Sequence, residues 1–193
     1  MMDLKDIRIG FAFTGSFCTF SKVIAELEKL TTQGADITPV ISYSVDSIDT
    51  RFGTANEWKT RIEAVTGKNV IRTIADAEPI GPKCMFDILV VAPCTGNTLG
   101  KLANGISDTP VTMACKAHLR NGRPLLLALS TNDGFGINAR NIGFLQNCKN
   151  VFFVPYGQDD PTRKNNSLMA EFDMILPAIE AALNGKQLQP VLI

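Results

Sequence analysis

Short apolar runs alternate along the chain with stretches whose apolar residues recur at helical spacing. Ile7 to Phe13 (IRIGFAF) is apolar on both faces and predicts a buried strand that ends in the turn-prone Thr14-Gly15-Ser16. Val23, Ile24, Leu27 and Leu30 then recur at i, i+1, i+4 and i+7, one face of a helix that Thr19 or Ser21 can cap and Gly34 can close. Asp36 to Ser42 predicts a second strand, with Pro39 pointing to a bulge or an irregular edge. Tyr43 to Phe52 is polar and aperiodic and reads as a loop. Ala55 to Val65 predicts a helix stopped by Gly67, Val70 to Ile74 a short edge strand, and Glu78 to Pro82 a Pro/Gly loop.

The second half repeats the alternation. Asp87 to Ala92 (DILVVA) predicts a strongly apolar strand, Leu99 to Ile106 and Val111 to Leu119 helices, and Pro124 to Leu129 the next strand. Ile137 to Leu145 reads as helix and Val151 to Pro155 as strand. Leu168 to Leu183 reads as a long closing helix, with Leu168, Phe172, Ile175, Leu176, Ile179 and Leu183 on one face and a kink at Pro177. Strands apolar on both faces and separated by helices imply a parallel sheet covered on both sides. Right-handed crossovers then give a doubly wound, three-layer α/β sandwich of Rossmann-like or flavodoxin-like type. No repeat, low-complexity tract or linker divides the chain, so residues 1–193 are expected to form a single domain.

Composition narrows the function more than the fold. Nineteen basic residues balance nineteen acidic ones, which removes the electrostatic footprint of a nucleic-acid binder. No Lys/Arg run suits an anionic membrane, and no segment approaches the roughly 18 apolar residues that span a bilayer. Five cysteines without a C-x-x-C pair, and no apolar leader, point to reduced thiols in a cytoplasmic protein. With one histidine, a zinc site built on several histidines is excluded, and no metal is expected.

Ligands of open parallel sheets bind outside the carboxyl ends of the strands. The candidates are therefore Thr14-Gly15-Ser16, Ser42-Tyr43-Ser44, Pro93-Cys94-Thr95-Gly96-Asn97-Thr98 and Ser130-Thr131-Asn132-Asp133. Gly10 to Ser16 reads G-x-x-x-x-G-S and lacks the P-loop lysine, and no G-x-G-x-x-G follows any strand. The Gly15-Ser16 turn instead offers free N–H groups at a helix start, with the Thr14 and Ser16 hydroxyls beside them, a set that suits a phosphate. The bland alternative is that Gly15 only makes the turn. In PCTGNTLGKLANGISD a helix again starts toward the crevice, with Lys101 one turn after Asn97. The alternative there is that Thr95 or Asn97 merely caps the helix and Lys101 is a solvated charge. Cys94 follows a strand but has no histidine to activate it, so it reads as a lining residue. His118 falls at the amino end of the Pro124 strand, away from the crevice, and reads as structural.

These motifs resemble the homo-oligomeric flavin-containing cysteine decarboxylase family. Its central Pro-Ala-Ser/Thr-Ala-Asn-Thr, followed by Lys and Ala-Asn-Gly-x-x-Asp, is similar to Pro93 through Thr98, Lys101, Ala103-Asn104-Gly105 and Asp108. The resemblance runs from Ile7 to about Val191, and TGSFCTF, TRFGTANEW, AEPIGPK, FVPYGQDDP and NGKQLQPV are its most distinctive blocks. It implies an FMN site. Thr14, Gly15 and Ser16 would hold the phosphate, with Ser42 and Ser44 beside them. Pro93, Cys94, Thr95, Asn97, Thr98 and Lys101 would lie along the ring and ribityl chain, and Ser130, Thr131 and Asn132 would form the rim. It also implies a homo-oligomer, a trimer or multiples of one, with the flavin between protomers.

Two departures shift the expected chemistry. The loop before the motif strand carries Pro79-Ile80-Gly81-Pro82-Lys83 where the decarboxylases carry a catalytic histidine, and Ser130-Thr131-Asn132 replaces their Pro-x-Met-Asn. Decarboxylation of a peptidyl cysteine is not expected. The distinctive blocks imply an oxidoreductase branch in which NAD(P) is carried by a second, different subunit and the substrate is a small dicarboxylate. The alternatives are a flavin-binding or stabilising partner subunit without catalysis, and another family flavoenzyme such as a flavin prenyltransferase.

Overall fold

Five strands, β1 (Arg8–Phe13), β2 (Asp36–Ile41), β3 (Ile88–Cys94), β4 (Leu125–Thr131) and β5 (Val151–Phe153), run parallel in a computed structural model that describes residues 4–193. Met1–Asp3 lie outside the described residues. Every residue of β3 and β4 is buried, which is why both read as unbroken apolar runs rather than alternating ones. Two further strands, β6 (Tyr156–Asp160) and β7 (Lys164–Ala170), add an antiparallel hairpin, so the sheet is mixed, with order β2-β1-β3-β4-β7-β6 and β5 beside β4.

Helices cover the sheet. They are α1 (Phe20–Thr32), α2 (Tyr43–Ser47), α3 (Ala55–Thr66), α4 (Ile74–Ala77), α5 (Gly96–Ala103), α6 (Pro110–Leu119), α7 (Asn138–Gln146) and α8 (Ile175–Leu183). Val23, Ile24, Leu27 and Leu30 are all buried on α1, as their spacing predicts. Helices α1, α3 and α8 pack together, and α4 through α7 form a second group. Left-handed Gly34 and Gly67 follow α1 and α3, where their missing side chains cost nothing.

Four expectations need correction. Tyr43–Ser47 is a short helix rather than loop, pinned by buried Val45; one buried residue is too few to show a period. Only Ile71 of Val70 to Ile74 bridges to β2, and Ile74 onward is α4, capped by Thr73. Pro39 does sit on the outer strand, but in register opposite Phe11 and without a bulge, with its carbonyl taking the Ile71 N–H. Thr19 takes the N-cap position of α1 but without a side-chain cap bond, because its hydroxyl donates to the Ser16 carbonyl at 2.8 Å.

The largest correction is the expected helix from Leu168. Leu168 and Ala170 are buried positions of β7, and the closing helix begins only at Ile175. Spacings of four and three between Leu168, Phe172 and Ile175 imitate a helical face, while pairing of Leu168 with Thr131 and Gln158 claims the residue for the sheet. Pro177 falls in the first turn of α8, where no intrahelical donor is lost and no kink follows.

The amino ends of the strands carry a charged cluster. Asp87 pairs with Arg8 at 2.7 Å and Arg123 at 2.8 Å, and the Arg8 hydrogen bonds hold its carboxyl below the usual range. His118 is buried at the same end and donates from Nε2 to the Pro124 carbonyl at 2.9 Å, which bears out its structural reading. Burial pushes its pKa down to about 4. The folded chain therefore keeps His118 neutral where an unfolded one takes up a proton near pH 6.5. Its contribution is complete above about pH 6.5 and is lost as the pH falls toward 4. Urea unfolding should show a loss of about 2–3 kcal/mol across that window, and His118→Gln should flatten it. An unchanged slope in that variant would place the acid sensitivity in another group.

Candidate functional site

Strand order reverses between β1 and β3, because the chain leaves β1 for β2 on one side and returns to β3 on the other. A crevice opens at such a point beyond the carboxyl ends. Thr14, the first residue after β1, is buried there. Its hydroxyl donates to the Pro93 carbonyl at 2.6 Å and accepts the Thr95 N–H at 3.0 Å. Pro93 has no N–H to give, and the β3–β4 register shifts between Val91 and Cys94, so the end of β3 can turn toward β1. Thr95 in turn caps α5, accepting the Thr98 N–H.

Around this junction lies a cleft of about 390 Å³. Gly15, Ser16, Thr95, Ser130, Thr131 and Asn132 line one side, Phe17, Phe52, Leu168 and Met169 another, and Asp159 and Lys164 also line it, with Lys164 Nζ 2.6 Å from Asp159 Oδ2. Ser16 Oγ and Ser130 Oγ are 2.6 Å apart and join the loop after β1 to the end of β4. Beneath Thr131, Asp133 accepts from Asn138 at 2.8 and 2.9 Å and from the Thr131 hydroxyl.

The first turn, expected to hold a phosphate, is not crowded. A Cβ on Gly15 would meet Ser44 and Phe17 only at 3.4 and 3.7 Å, and its φ is not left-handed. The turn itself does not demand glycine. At the start of α2, outside the cleft lining, Ser42 Oγ is buried without a hydrogen-bond partner. The helical turn Phe17–Thr19 runs directly into α1, and its leading N–H groups have no intrahelical acceptor.

The predicted residues thus divide. Gly15, Ser16, Thr95, Ser130, Thr131 and Asn132 meet in the cleft. Thr14, Pro93 and Thr98 stand behind them as buried support, Ser44 packs on Gly15, and Ser42 lies at the start of α2. Cys94 is wholly buried and burial holds its thiol well above the usual pKa, so it belongs to the core rather than the cleft wall. Asn97 is exposed outside the cleft, and Lys101 is held by Asp108 at 2.7 Å. Sequence reasoning missed Phe52 and the hairpin residues Asp159, Lys164 and Ser167. The Asp-Pro step and polar run between Tyr156 and Leu168 carried a turn signal, which the helix-like spacing beyond it obscured.

Residues 2–184 match the Flavoprotein family. The chain is 49% identical to the B-type subunit of dipicolinate synthase of Bacillus subtilis (strain 168), over 100% of this chain and 96% of the relative. It superposes on the crystal structure of the same dipicolinate synthase component from Bacillus halodurans C with a TM-score of 0.92, at 44% identity over 100% of this chain and 98% of that one. The FMN-dependent cysteine decarboxylase SpaF has a TM-score of 0.66 at 22% identity, over 94% of this chain and 97% of that one, a likeness of fold alone.

Thr14 is the residue on which this geometry tests most simply. Thr14→Val keeps the shape but leaves the Thr95 N–H and the Pro93 carbonyl without their buried partner. Urea unfolding should lose about 1–3 kcal/mol, while Thr14→Ser should keep most of it. Equal stability of the valine variant would show that the junction does not depend on this hydroxyl.

Proposed function

Because the chain belongs to the Flavoprotein family, we propose that it binds FMN in the cleft at the β1–β3 junction and acts as the B-type subunit of a dipicolinate synthase. The observation that carries this reading is the hydroxyl-lined cleft at the strand switch, with Gly15, Ser16, Thr95, Ser130 and Thr131 in its wall. In the proposed arrangement Gly15 and the leading N–H groups of the α1 turn hold the phosphate. Ser16 and Ser130 exchange their mutual bond for ligand oxygens, and Phe17, Leu168 and Met169 exclude water from a ring. Bound there, the flavin supplies a hydride acceptor.

The partner would be the dipicolinate synthase A subunit, carrying NAD(P), since no dinucleotide fingerprint follows a strand here. Together they would oxidise a dihydrodipicolinate-type precursor to pyridine-2,6-dicarboxylate during sporulation. We include a homo-oligomer in the proposal. Asn97 lies outside its own chain's cleft, and exposed Ile106, Phe135, Ile137 and Phe144 sit on or beside α5 and α7, a face suited to a second copy. The cytoplasmic reading also remains a proposal; among the described residues no helix is long and apolar enough to cross a membrane.

One observation favours a second reading, a flavin-binding partner subunit without catalysis of its own. The single histidine is buried at the opposite end of the sheet, and burial keeps the Cys94 and Cys115 thiols protonated, Cys115 at about 12.

Two measurements test the proposal. FMN titration followed by flavin fluorescence should give saturable binding that Ser16→Asp weakens at least about tenfold. A unit negative charge some 4 Å from a phosphate costs about 1–4 kcal/mol; equal affinity would remove this turn from the site. Second, the chain mixed with the A subunit, NAD(P) and precursor should form the ultraviolet-absorbing pyridine dicarboxylate, while the isolated chain does not. Turnover by the chain alone at the rate of the mixture would overturn the division of labour. Product formed equally well by the mixture when FMN is withheld would favour the second reading.

A further inference from the structure

The block TRFGTANEW, distinctive in the sequence, has its own place in the structure. Thr50 and Gly53 exchange backbone hydrogen bonds at 3.0 and 3.1 Å, closing a tight turn with Arg51 and Phe52 at its tip. The Thr50 hydroxyl accepts the Phe52 N–H at 3.2 Å and donates to the Gly53 carbonyl at 3.2 Å. Gly53 has φ 142°, and a Cβ there would come within 2.8 Å of the Trp58 indole nitrogen. The turn is therefore seated directly on Trp58, whose ring packs edge-on against Phe20 at 5.1 Å. On the far side Asp49 accepts the Ala55 N–H at 2.8 Å, and the Thr54–Glu57 capping box anchors the start of α3.

All this bracing holds in place a phenylalanine that is 43% exposed. Phe52 lines the cleft, and the Arg51 guanidinium lies 4.8 Å from the centre of its ring. The part of the ring left exposed on this support realises its hydrophobic contribution only when something covers it. We propose that the Thr50–Gly53 turn is a fixed stacking platform, in which Phe52 packs against the planar conjugated ring of a ligand bound in the cleft. Arg51 occupies one face of the ring by cation–π contact and directs the ligand to the other. The platform deepens the flavin reading and rests on it for the location of the ligand. The shared chemistry is a flat π-system, supplied either by an isoalloxazine or by a pyridine dicarboxylate.

The full chain is titrated with FMN, followed by quenching of flavin fluorescence, and separately with pyridine-2,6-dicarboxylate, followed by emission of its single tryptophan, Trp58. Phe52→Leu should bind the stacked ligand about five- to tenfold more weakly and lose its optical signature, whereas Phe52→Tyr should retain both. Gly53→Ala, which keeps the Phe52 side chain but drives a methyl group into Trp58 and so displaces the turn, should weaken the same ligand. Thermal unfolding of each variant separates loss of the platform from loss of the fold. Weakening of FMN binding assigns the platform to the flavin, and weakening of the dicarboxylate alone assigns it to the substrate. If the parent chain binds FMN and Phe52→Leu binds both ligands equally well, the platform is overturned and the flavin reading stands. If the parent chain binds the dicarboxylate but no FMN, the flavin reading fails, and the platform stands only if Phe52→Leu weakens the dicarboxylate. Binding of neither ligand by the parent chain overturns both.

Discussion

A single buried hydroxyl holds the two halves of the sheet together where it matters for ligand binding. Thr14 bonds both the Pro93 carbonyl near the end of β3 and the first N–H beyond the strand, that of Thr95. β1 and β3 pair as far as Ala12 and Val91, and the Thr14 bonds carry that contact past the register shift at the end of β3. With Thr14 in place, Thr95 is oriented to cap α5, and the loop after β1 is held opposite the end of β4, where Ser16 and Ser130 meet. The cleft is the space left by that arrangement.

Charge is distributed unevenly between the two ends of the sheet. The amino end gathers Arg8, Asp87 and Arg123 in one ion cluster around the strand starts. The carboxyl end has neutral hydroxyls and amides on its floor, and the charged pair lining the cleft, Asp159 and Lys164, is internally neutralised. Such a surface binds by hydrogen bonding and by packing against Phe17, Phe52, Leu168 and Met169. It suits a ligand that brings its own reactive group more than a substrate that needs a strong acid or base from the protein.

The β6–β7 hairpin turns an open parallel sheet into one with a wall. By pairing Met169 with Ser130 and Leu168 with Thr131, β7 carries apolar side chains to the end of β4, where a purely parallel arrangement would have left the loop after β4 open. The same pairing bonds Ser167 Oγ to the Thr131 carbonyl at 3.2 Å, stiffening the rim.

The parallel strands, the covering helices and six of the cleft residues were legible in the sequence. Buried strands must be apolar at every position, helices must repeat with the turn, and loops after strands must carry polar or small residues at a ligand site. These are local demands that each segment meets alone. What tertiary structure decided depends on partners distant along the chain. Leu168 is a strand residue because Thr131 and Gln158 lie beside it, although its spacing to Phe172 and Ile175 fits a helix equally well. Cys94 turned into the core because β3, although its register with β4 shifts after Val91, stays buried through its last residue. Phe52 reached the cleft because Gly53 rests on Trp58, a contact that no pattern of neighbouring residues records. Periodicity reports which face a residue presents, and only packing selects what that face meets.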